Sequence, residues 1–292
     1  MHALFYTYDN PAQKALIQSL TKGLEKHGDT WKVTHVLDFE PEQVREADVV
    51  FAYNILTGPT IIEACLTRNV NVLYYDKGYF NRGWDTDNPE VYYRFSANGF
   101  HPLHYFQKSP RPSDRWQKLG VELASRRERG RDIVFAGCSA KFANLNGFDL
   151  DEYASDIVRR IQSLTDRPII YRPKKTLEPP RPIPGTVYSH KRGRIAEDLA
   201  DAHALVTFSS NAAVDAVLSG VPAFVLGPGI AKPVSNTDLS KIEEPWFPTD
   251  KQRLQWCYDL AYCQWRVDEM EDGSLWTHLK ELIATPHAQA LR

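Results

Sequence analysis

The feature that most constrains the fold is an alternation of short apolar runs with amphipathic segments along the 292 residues. In the first third of the chain, apolar runs predict buried strands at 4–8, 31–36, 48–53 and 71–75. Residues 12–27 and 59–67 have the apolar spacing of helices between them. Strands that are apolar on both faces and joined by helices are typical of a parallel sheet covered on both sides.

The alternation stops in a region from Asp76 to Pro112 that is rich in Gly, Asn, Pro and aromatic residues, and then begins again. Residues 113–129 are predicted to be a helix that bridges two domains. The second set of strands is predicted at 132–136, 168–171, 204–208 and 223–226, with helices at 151–164, 195–202 and 212–218 and closing helices at 254–267 and 275–283. The predicted fold class is α/β, with two Rossmann-like domains facing a cleft.

The length of 292 residues also favours two domains. We expect an N-terminal Rossmann-like domain at 1–112 and a linker helix at 113–130. A C-terminal Rossmann-like domain is expected at 131–270, followed by a helix at 271–292 that packs back on the first domain.

Composition excludes several classes of protein. Hydrophobic residues make up 42% and charged residues 25%, as in ordinary globular proteins. No apolar run approaches the roughly 20 residues of a membrane helix, and no signal peptide is apparent, so a cytoplasmic location is expected. The net charge of −2 argues against a dedicated nucleic-acid coat, although it does not exclude a local basic cleft. The four cysteines show no metal-ligand spacing, which predicts reduced thiols and no metal site.

Ligands of such sheets bind beyond the carboxyl ends of the strands. The clearest candidate site follows the strand at 204–208, where Ser209, Ser210 and Asn211 lead directly into a helix. Free N–H groups of a first helical turn, with added hydroxyl donors, favour an anion. The alternative is that these residues only cap the helix.

A second candidate is the segment from Arg172 to Arg194, which holds seven cations, one acid and five prolines. Its prolines predict a loop. Arg172, Lys174 and Lys175 follow a strand, where they can bind phosphate, and His190 can donate a hydrogen bond to it. Ser139, after the strand at 132–136, is a further phosphate-binding candidate. The alternative is a solvated basic loop.

The third candidate is Asp76, a carboxylate at the end of the strand at 71–75. A general base that deprotonates a hydroxyl is expected at such a position. The alternative is a salt bridge between Asp76 and Lys77 or Arg82. The residues expected beside Asp76 on the same side of the site are Asp9, Asn54, Arg82, Tyr92 and Arg94.

Motifs of other enzyme classes are absent from the sequence. There is no Walker A loop and no Gly-x-Gly-x-x-Gly after the first strand, which argues against nucleoside triphosphate hydrolysis and NAD binding. No serine lies in a nucleophile elbow.

The stretch from Ala202 to Gly227, with its Ser-Ser-Asn turn and Leu218-Ser219-Gly220-Val221-Pro222, resembles the donor half of GT-B glycosyltransferases. It is most similar to the capsule-type group that includes bacterial Kdo transferases. Their Glu-Asp-Gly-Phe-x-Arg-Ser motif is similar to 76–82 here, which has an extra residue before the glycine and lacks the paired acid. Their Lys-Pro-His-Pro motif is similar to 171–175, with a cation in place of histidine. The tail at 256–276 looks like phage-encoded relatives.

This resemblance implies an inverting, metal-independent glycosyltransferase whose first domain binds the acceptor and whose second binds a nucleotide-sugar. Asp76 would be the base, and Ser209, Ser210, Asn211 and Arg172 or Lys174 would hold the donor phosphate. No cofactor is expected, and a UDP-linked sugar is the expected co-substrate. Whether the sugar is a hexose, a pentose or Kdo stays open.

Three hypotheses stay open for the partner of this site. One acceptor is a 5-hydroxymethylpyrimidine in phage DNA, in which case the protein would act in the host cytoplasm. The other acceptor is a capsule or surface glycan, and the third hypothesis is a non-catalytic nucleotide- or DNA-binding module. DNA would be bound by a basic cluster and by stacking aromatic rings. The cluster is Arg126, Arg127, Arg129 and Arg131, and the rings are Tyr92, Tyr93, Phe95 and Phe100.

Overall fold

A computed structural model describes residues 1–82, 91–101, 110–174, 181–189 and 194–284. The chain divides into two compact units. Unit 1 comprises Met1–Ser109 and Asp259–Arg292, and unit 2 comprises Pro110–Tyr258. Each unit contains one sheet whose core strands are parallel, so the predicted α/β class is confirmed.

The described strands are β1 His2–Thr7, β2 Thr30–His35, β3 Val49–Tyr53, β4 Asn71–Lys77, β5 Tyr92–Ala97, β6 Asp132–Ala136, β7 Ile169–Arg172, β8 Thr186–Tyr188, β9 Ala202–Thr207, β10 Ala223–Val225 and β11 Gln264–Arg266. The described helices are α1 Pro11–Glu25, α2 Asn54–Thr67, α3 Asp114–Leu119, α4 Ala140–Leu145, α5 Leu150–Gln162, α6 Ile195–Leu199, α7 Ala212–Leu218, α8 Asp250–Ala261, α9 Val267–Glu271 and α10 Ser274–Ala284.

The sheet of unit 1 has the strand order β11-β5-β4-β3-β1-β2. The four strands from β4 to β2 are parallel, and β5 pairs antiparallel with both β4 and β11. Helix α1 starts as the sequence predicts, because Asn10 accepts hydrogen bonds from the backbone of Ala12 and Gln13 and Pro11 occupies the first turn. Its leucines on one face are buried in the unit.

The sheet of unit 2 has the order β10-β9-β6-β7-β8, and all its pairings are parallel. Helix α5 covers one face of the sheet. Its Ile157, Val158 and Ile161 belong to the same buried cluster as Phe135 of β6 and Val206 of β9. Asp149 caps α5 by accepting hydrogen bonds from the backbone of Asp151 and Glu152.

The structure corrects the expected linker helix at 113–130. Only α3 is helical there, and it ends at Gly120, which has a φ of +61°. A glycine in this conformation is a common helix terminator. The following segment is extended and forms backbone hydrogen bonds from Ala124 to Leu218 and from Arg127 to Gly220, so it lies along unit 2.

The second unit ends at Tyr258, earlier than the domain boundary expected at residue 270. The predicted helix at 254–267 ends at Ala261, and residues 264–266 form β11, which pairs with β5. Trp276 of α10 contacts Phe51, with the ring centroids 6.0 Å apart. The chain from Asp259 onward therefore belongs to unit 1.

A third correction concerns β5, which lies within the predicted loop from Asp76 to Pro112. Its sequence, Tyr-Tyr-Arg-Phe-Ser-Ala, mixes polar and aromatic residues, yet five of its six residues are buried, including Arg94. A buried arginine gives no hydrophobic pattern, which is why the strand was missed.

None of the helices in the described part of the chain is long and apolar enough to cross a lipid bilayer. All four cysteines lie in the described part of the chain and are buried.

Asp29 is a buried carboxylate that ties α10 to the start of β2, and its side chain is 6% exposed. It accepts a hydrogen bond of 2.6 Å from Trp276 Nε1 and pairs with Lys280 and the amino group of Met1. Burial opposes its charge, but hydrogen bonds from Lys280, the amino group and Trp276 outweigh burial and lower the pKa of Asp29.

We therefore expect Asp29→Asn to lower the free energy of unfolding at pH 7 by about 2–3 kcal/mol. A lowered carboxyl pKa stabilises the fold above the unfolded-state pKa of about 4, and this contribution is lost as pH falls. Urea unfolding of wild type and variant should therefore converge between pH 5 and about pH 2. A difference that stays constant over this range would contradict the assignment.

Candidate functional site

The carboxyl ends of β1 and β3 mark the point in unit 1 where the strand order reverses, which is where ligands bind in open α/β sheets. Tyr8 follows β1, and its hydroxyl lies 3.5 Å from Asn54 Oδ1 and contacts Thr57 Oγ1 in α2. Asn54 has a φ of +54°, a strained conformation for a residue other than glycine. The predicted residue Asn54 thus lies at the expected edge of the sheet.

Asp76 lies near the carboxyl end of β4, beside β3, and its side chain is 30% exposed. Its Oδ2 accepts hydrogen bonds from the Tyr74 hydroxyl at 3.0 Å and from Arg94 Nη2 at 3.4 Å. Its Oδ1 accepts a hydrogen bond of 2.7 Å from the backbone N–H of Lys77. The cation beside this carboxylate is Arg94, the residue directly opposite in the β4–β5 register, rather than Lys77 or Arg82.

Arg94 is held in a cage of aromatic rings, and its side chain is 8% exposed. The guanidinium carbon lies 5.0 Å from the ring centre of Phe100, 5.3 Å from Tyr74 and 5.4 Å from Tyr79. Its Nη1 donates to the Tyr79 hydroxyl at 3.2 Å. Cation–π contacts and these hydrogen bonds offset the cost of burying the charge.

The electrostatics of this cluster keep its phenols neutral and its guanidinium charged. Burial raises the pKa of Tyr74 well above 10 and that of Tyr79 to about 12. Burial, followed by the charge of Asp76, raises the pKa of Tyr53 to about 12. Burial disfavours the charge of Arg94, but Tyr79, Tyr74 and Asp76 together raise its pKa. The site therefore presents hydroxyl donors around one carboxylate.

The other acceptor-side predictions lie in different surroundings. Asp9 is 82% exposed and pairs on the surface with Lys14 and His35, and this contact with Lys14 lowers the pKa of Asp9. Arg82 is half-buried in the loop after β4. The Tyr92 and Phe95 side chains are buried within the unit, so they do not present faces for stacking on an extruded base, which corrects that expectation.

In unit 2 the strand order reverses between β6 and β9, and the predicted serines follow these two strands. Thr207, the last residue of β9, donates a hydrogen bond of 2.7 Å to the carbonyl of Ala136, the last residue of β6. Ser139 caps α4 by accepting from the backbone N–H of Phe142 at 3.3 Å. The sheet thus brings Ser139 and the Ser-Ser-Asn turn to the same edge.

Within that turn the three predicted residues differ. The Ser210 hydroxyl accepts a hydrogen bond of 3.2 Å from the backbone N–H of Ala212. Ser210 therefore caps the helix, which was the alternative to phosphate binding. The N–H groups of Ala213 and Val214 donate to carbonyls of the turn itself. The Ser209 hydroxyl and the Asn211 amide are half-buried and form no hydrogen bond with any residue in the described part of the chain.

Arg172 at the end of β7 forms an ion pair with Asp198 of α6. The Asp198 carboxylate is buried and also accepts hydrogen bonds from the Ser189 hydroxyl at 2.9 and 3.0 Å. Gly137 N donates to the carbonyl of Arg172 at 2.9 Å, so this pair lies beside the end of β6. Lys174 is exposed at the same edge, whereas Lys175 and His190 lie outside the described residues.

The basic cluster at 126–131 lies at the amino-terminal edge of the unit 2 sheet, just before β6, and so at the opposite edge from the serines. Arg127 donates to the carbonyl of Ala200, and Arg131 pairs with Asp132 and Asp201. The guanidinium of Arg126 lies 5.6 Å from the ring centre of Phe247. These cations are therefore engaged within unit 2.

Sequence reasoning missed the partners that hold the candidate residues. Tyr74 and Asp198 were not selected, because they lie within a predicted strand and a predicted helix. Tyr79 lies in the motif-like stretch 76–82, from which only Asp76 and Arg82 were selected. For Tyr74 a signal was present, since i and i+2 residues of a strand lie on one face and bring its hydroxyl to Asp76. No group of three potential metal ligands lies together among the residues that the structure describes.

Comparison with solved structures shows that the chain has the GT-B fold. Two similar structures are KpsC proteins of Thermosulfurimonas dismutans, a beta Kdo 2,7 transferase and a beta Kdo 2,4 transferase. The first is 10% identical with a TM-score of 0.59, over 95% of this chain and 100% of that one. The second is 12% identical with a TM-score of 0.58, over 97% and 99% of the two chains. No family model and no curated protein matches the sequence.

Proposed function

We propose that the protein is an inverting, metal-independent glycosyltransferase that uses a nucleotide-sugar donor. The observation that supports this most directly is Asp76, a partly exposed carboxylate that accepts three hydrogen bonds at the carboxyl edge of its sheet. The GT-B fold, which this chain shares with two Kdo transferases, supports the same class of reaction. Unit 1 would bind the acceptor and unit 2 the donor.

In the proposed reaction the acceptor hydroxyl oxygen forms a bond to the anomeric carbon of the donor. The bond from that carbon to the phosphate oxygen breaks, and its electron pair leaves with the phosphate. The acceptor proton passes to Asp76, acting as general base. Preorganised hydrogen-bond donors and the Arg172 charge would stabilise the leaving phosphate without a metal ion.

A saccharide hydroxyl is the acceptor that the structure supports better than DNA. The basic cluster proposed for DNA lies at the opposite edge of the unit 2 sheet from the Ser-Ser-Asn turn, and its Arg126, Arg127 and Arg131 make contacts within the unit. Two of the four rings proposed to stack on a base are buried. Transfer to DNA containing 5-hydroxymethylpyrimidine, measured beside transfer to glycan acceptors, would test this choice directly.

Donor binding is tested by thermal unfolding in the presence of UDP-, GDP- and CMP-linked sugars, with CMP-Kdo included because of the two KpsC structures. A ligand that binds only the native state raises the melting temperature. We expect one nucleotide family to do so, and Asn211→Ala to weaken its binding by about tenfold, the loss of one hydrogen bond.

The matched control is Ser210→Ala, which removes a capping hydroxyl one residue away and should cost stability with a smaller effect on affinity. The absence of any shift with millimolar nucleotide-sugars would overturn the proposal. A nucleotide that binds without any transfer would favour a binding module. The anomeric configuration of the product checks the mechanism, because retention would assign Asp76 a role other than general base.

A further inference from the structure

Among the described residues, Arg94 is the cation that pairs with Asp76, and the Arg94 side chain is more deeply buried than the Asp76 side chain. Burying a permanent charge is costly, and a salt bridge of this kind contributes little net stability compared with an apolar pair of the same shape. The buried Arg94 is therefore better explained by a role in orienting the Asp76 carboxylate than by a contribution to the stability of the fold.

The two oxygens of Asp76 are occupied unequally. A carboxylate oxygen offers about two acceptor positions. On Oδ2 these are taken by the Tyr74 hydroxyl and Arg94 Nη2, whereas Oδ1 accepts only the backbone N–H of Lys77 among the described contacts. The open position on this carboxylate is therefore on Oδ1.

We propose that Arg94 and Tyr74 are positioning residues that hold Asp76 oriented through Oδ2, so that Oδ1 receives the acceptor proton. This inference rests on the proposed transferase function. In the step, the acceptor O–H bond breaks, the proton bonds to Oδ1, and the oxygen electron pair forms the new bond to the anomeric carbon. The leaving phosphate retains the electron pair of the bond that breaks.

Arg94 supplies the positive charge that pairs with the Asp76 carboxylate. His101 stays uncharged, because burial and the charge of Arg94 lower its pKa to about 3. Lys77 Nζ lies 4.8 Å from the ring centre of Tyr93 and 3.4 Å from its hydroxyl. Among the described residues, the titratable and charged side chains that interact with Asp76 are Tyr53 from β3, Tyr74 from β4, Arg94 from β5 and Tyr79 from the loop after β4.

The test compares Arg94→Met, Arg94→Lys and Tyr74→Phe with wild type, after thermal unfolding has shown that each variant is folded. Tyr79→Phe is the matched control, since it removes the other hydrogen bond of Arg94 and does not touch Asp76. In Arg94→Met and Tyr74→Phe we expect kcat to fall at least about tenfold with the acceptor KM nearly unchanged, because the carboxylate loses a donor that orients it. Arg94→Lys should recover part of the lost kcat, and donor affinity should stay unchanged in all variants.

A second readout needs no turnover. The Asp76 carboxyl carbon, labelled with 13C and assigned by its loss in Asp76→Asn, should change its chemical shift at pH 7 in Arg94→Met and Tyr74→Phe but not in Tyr79→Phe. Unchanged chemical shifts together with an unchanged kcat in Arg94→Met would overturn the inference even if the wild type transfers sugar. A changed chemical shift in a protein that transfers no sugar would overturn the proposed function and leave the orientation of Asp76 by Arg94 intact.

Discussion

Asp76→Asn is expected to lower the rate of sugar transfer by about 10²–10⁴-fold, the usual contribution of a general base. Asparagine is nearly the same size as aspartate and can still accept hydrogen bonds from Tyr74 and Arg94, but its amide cannot take the acceptor proton. The measurement is the single-turnover rate with saturating donor, which separates chemistry from binding.

Two controls distinguish the loss of a general base from a loss of binding or folding. Nucleotide binding to unit 2, measured by thermal shift, should be the same in Asp76→Asn and wild type. Asp9→Asn is a matched control, because Asp9 also follows a strand of unit 1 but is exposed and paired with Lys14 and His35. Its rate should stay within about twofold of wild type, since exposed ion pairs contribute little. A variant at Asp76 that retains full rate would remove this residue from the mechanism.

The largest effect on stability is expected at Arg253, whose side chain is 1% exposed. Its Nη1 donates to the carbonyls of Ala124 at 2.9 Å and Val217 at 3.1 Å, and its guanidinium lies 4.6 Å from the ring centre of Phe247. Through these hydrogen bonds, Arg253 connects α8 to the extended segment after α3 and to the end of α7. Arg253→Met should lower the free energy of unfolding by about 3–5 kcal/mol, because the carbonyls of Ala124 and Val217 and the Asp250 carboxylate each lose a hydrogen bond from a buried guanidinium.

Urea unfolding followed by tryptophan fluorescence measures this loss. Arg253→Lys should retain part of the stability, because one ammonium cannot reproduce the planar fork of the guanidinium. The exposed control is Arg159→Met, at a side chain that is 74% exposed, and it should change stability by less than about 0.5 kcal/mol. Equal losses at Arg253 and Arg159 would contradict the role given to Arg253.

Much of the fold was predictable from local patterns. The strands β1, β3, β4, β6 and β9 are continuous apolar runs, and helices such as α1 and α5 have a polar cap followed by apolar residues at helical spacing. These signals are local, because a strand buried on both faces requires apolar side chains at every position. They place Asp76, Asn54, Ser139 and the Ser-Ser-Asn turn after strands, and parallel pairing then brings such residues to one edge.

The parts that were missed depend on contacts between distant segments. Strand β11 has three residues, and it exists because Gln264 lies opposite Arg94 in the register and accepts hydrogen bonds from the backbone of Tyr79 and Phe80. Strand β5 contains a buried arginine that is tolerated only inside its aromatic cage. Neither condition has a periodic signature in the sequence.

The sequence by itself thus determined the α/β class, the parallel sheets and the positions of polar residues after strands, because hydrophobic periodicity and caps act over a few residues. The tertiary structure alone decided that Arg94 neutralises Asp76, that Asp198 holds Arg172, and that the chain end joins unit 1. Side chains 18 or 26 residues apart meet only after strand register and helix packing are set.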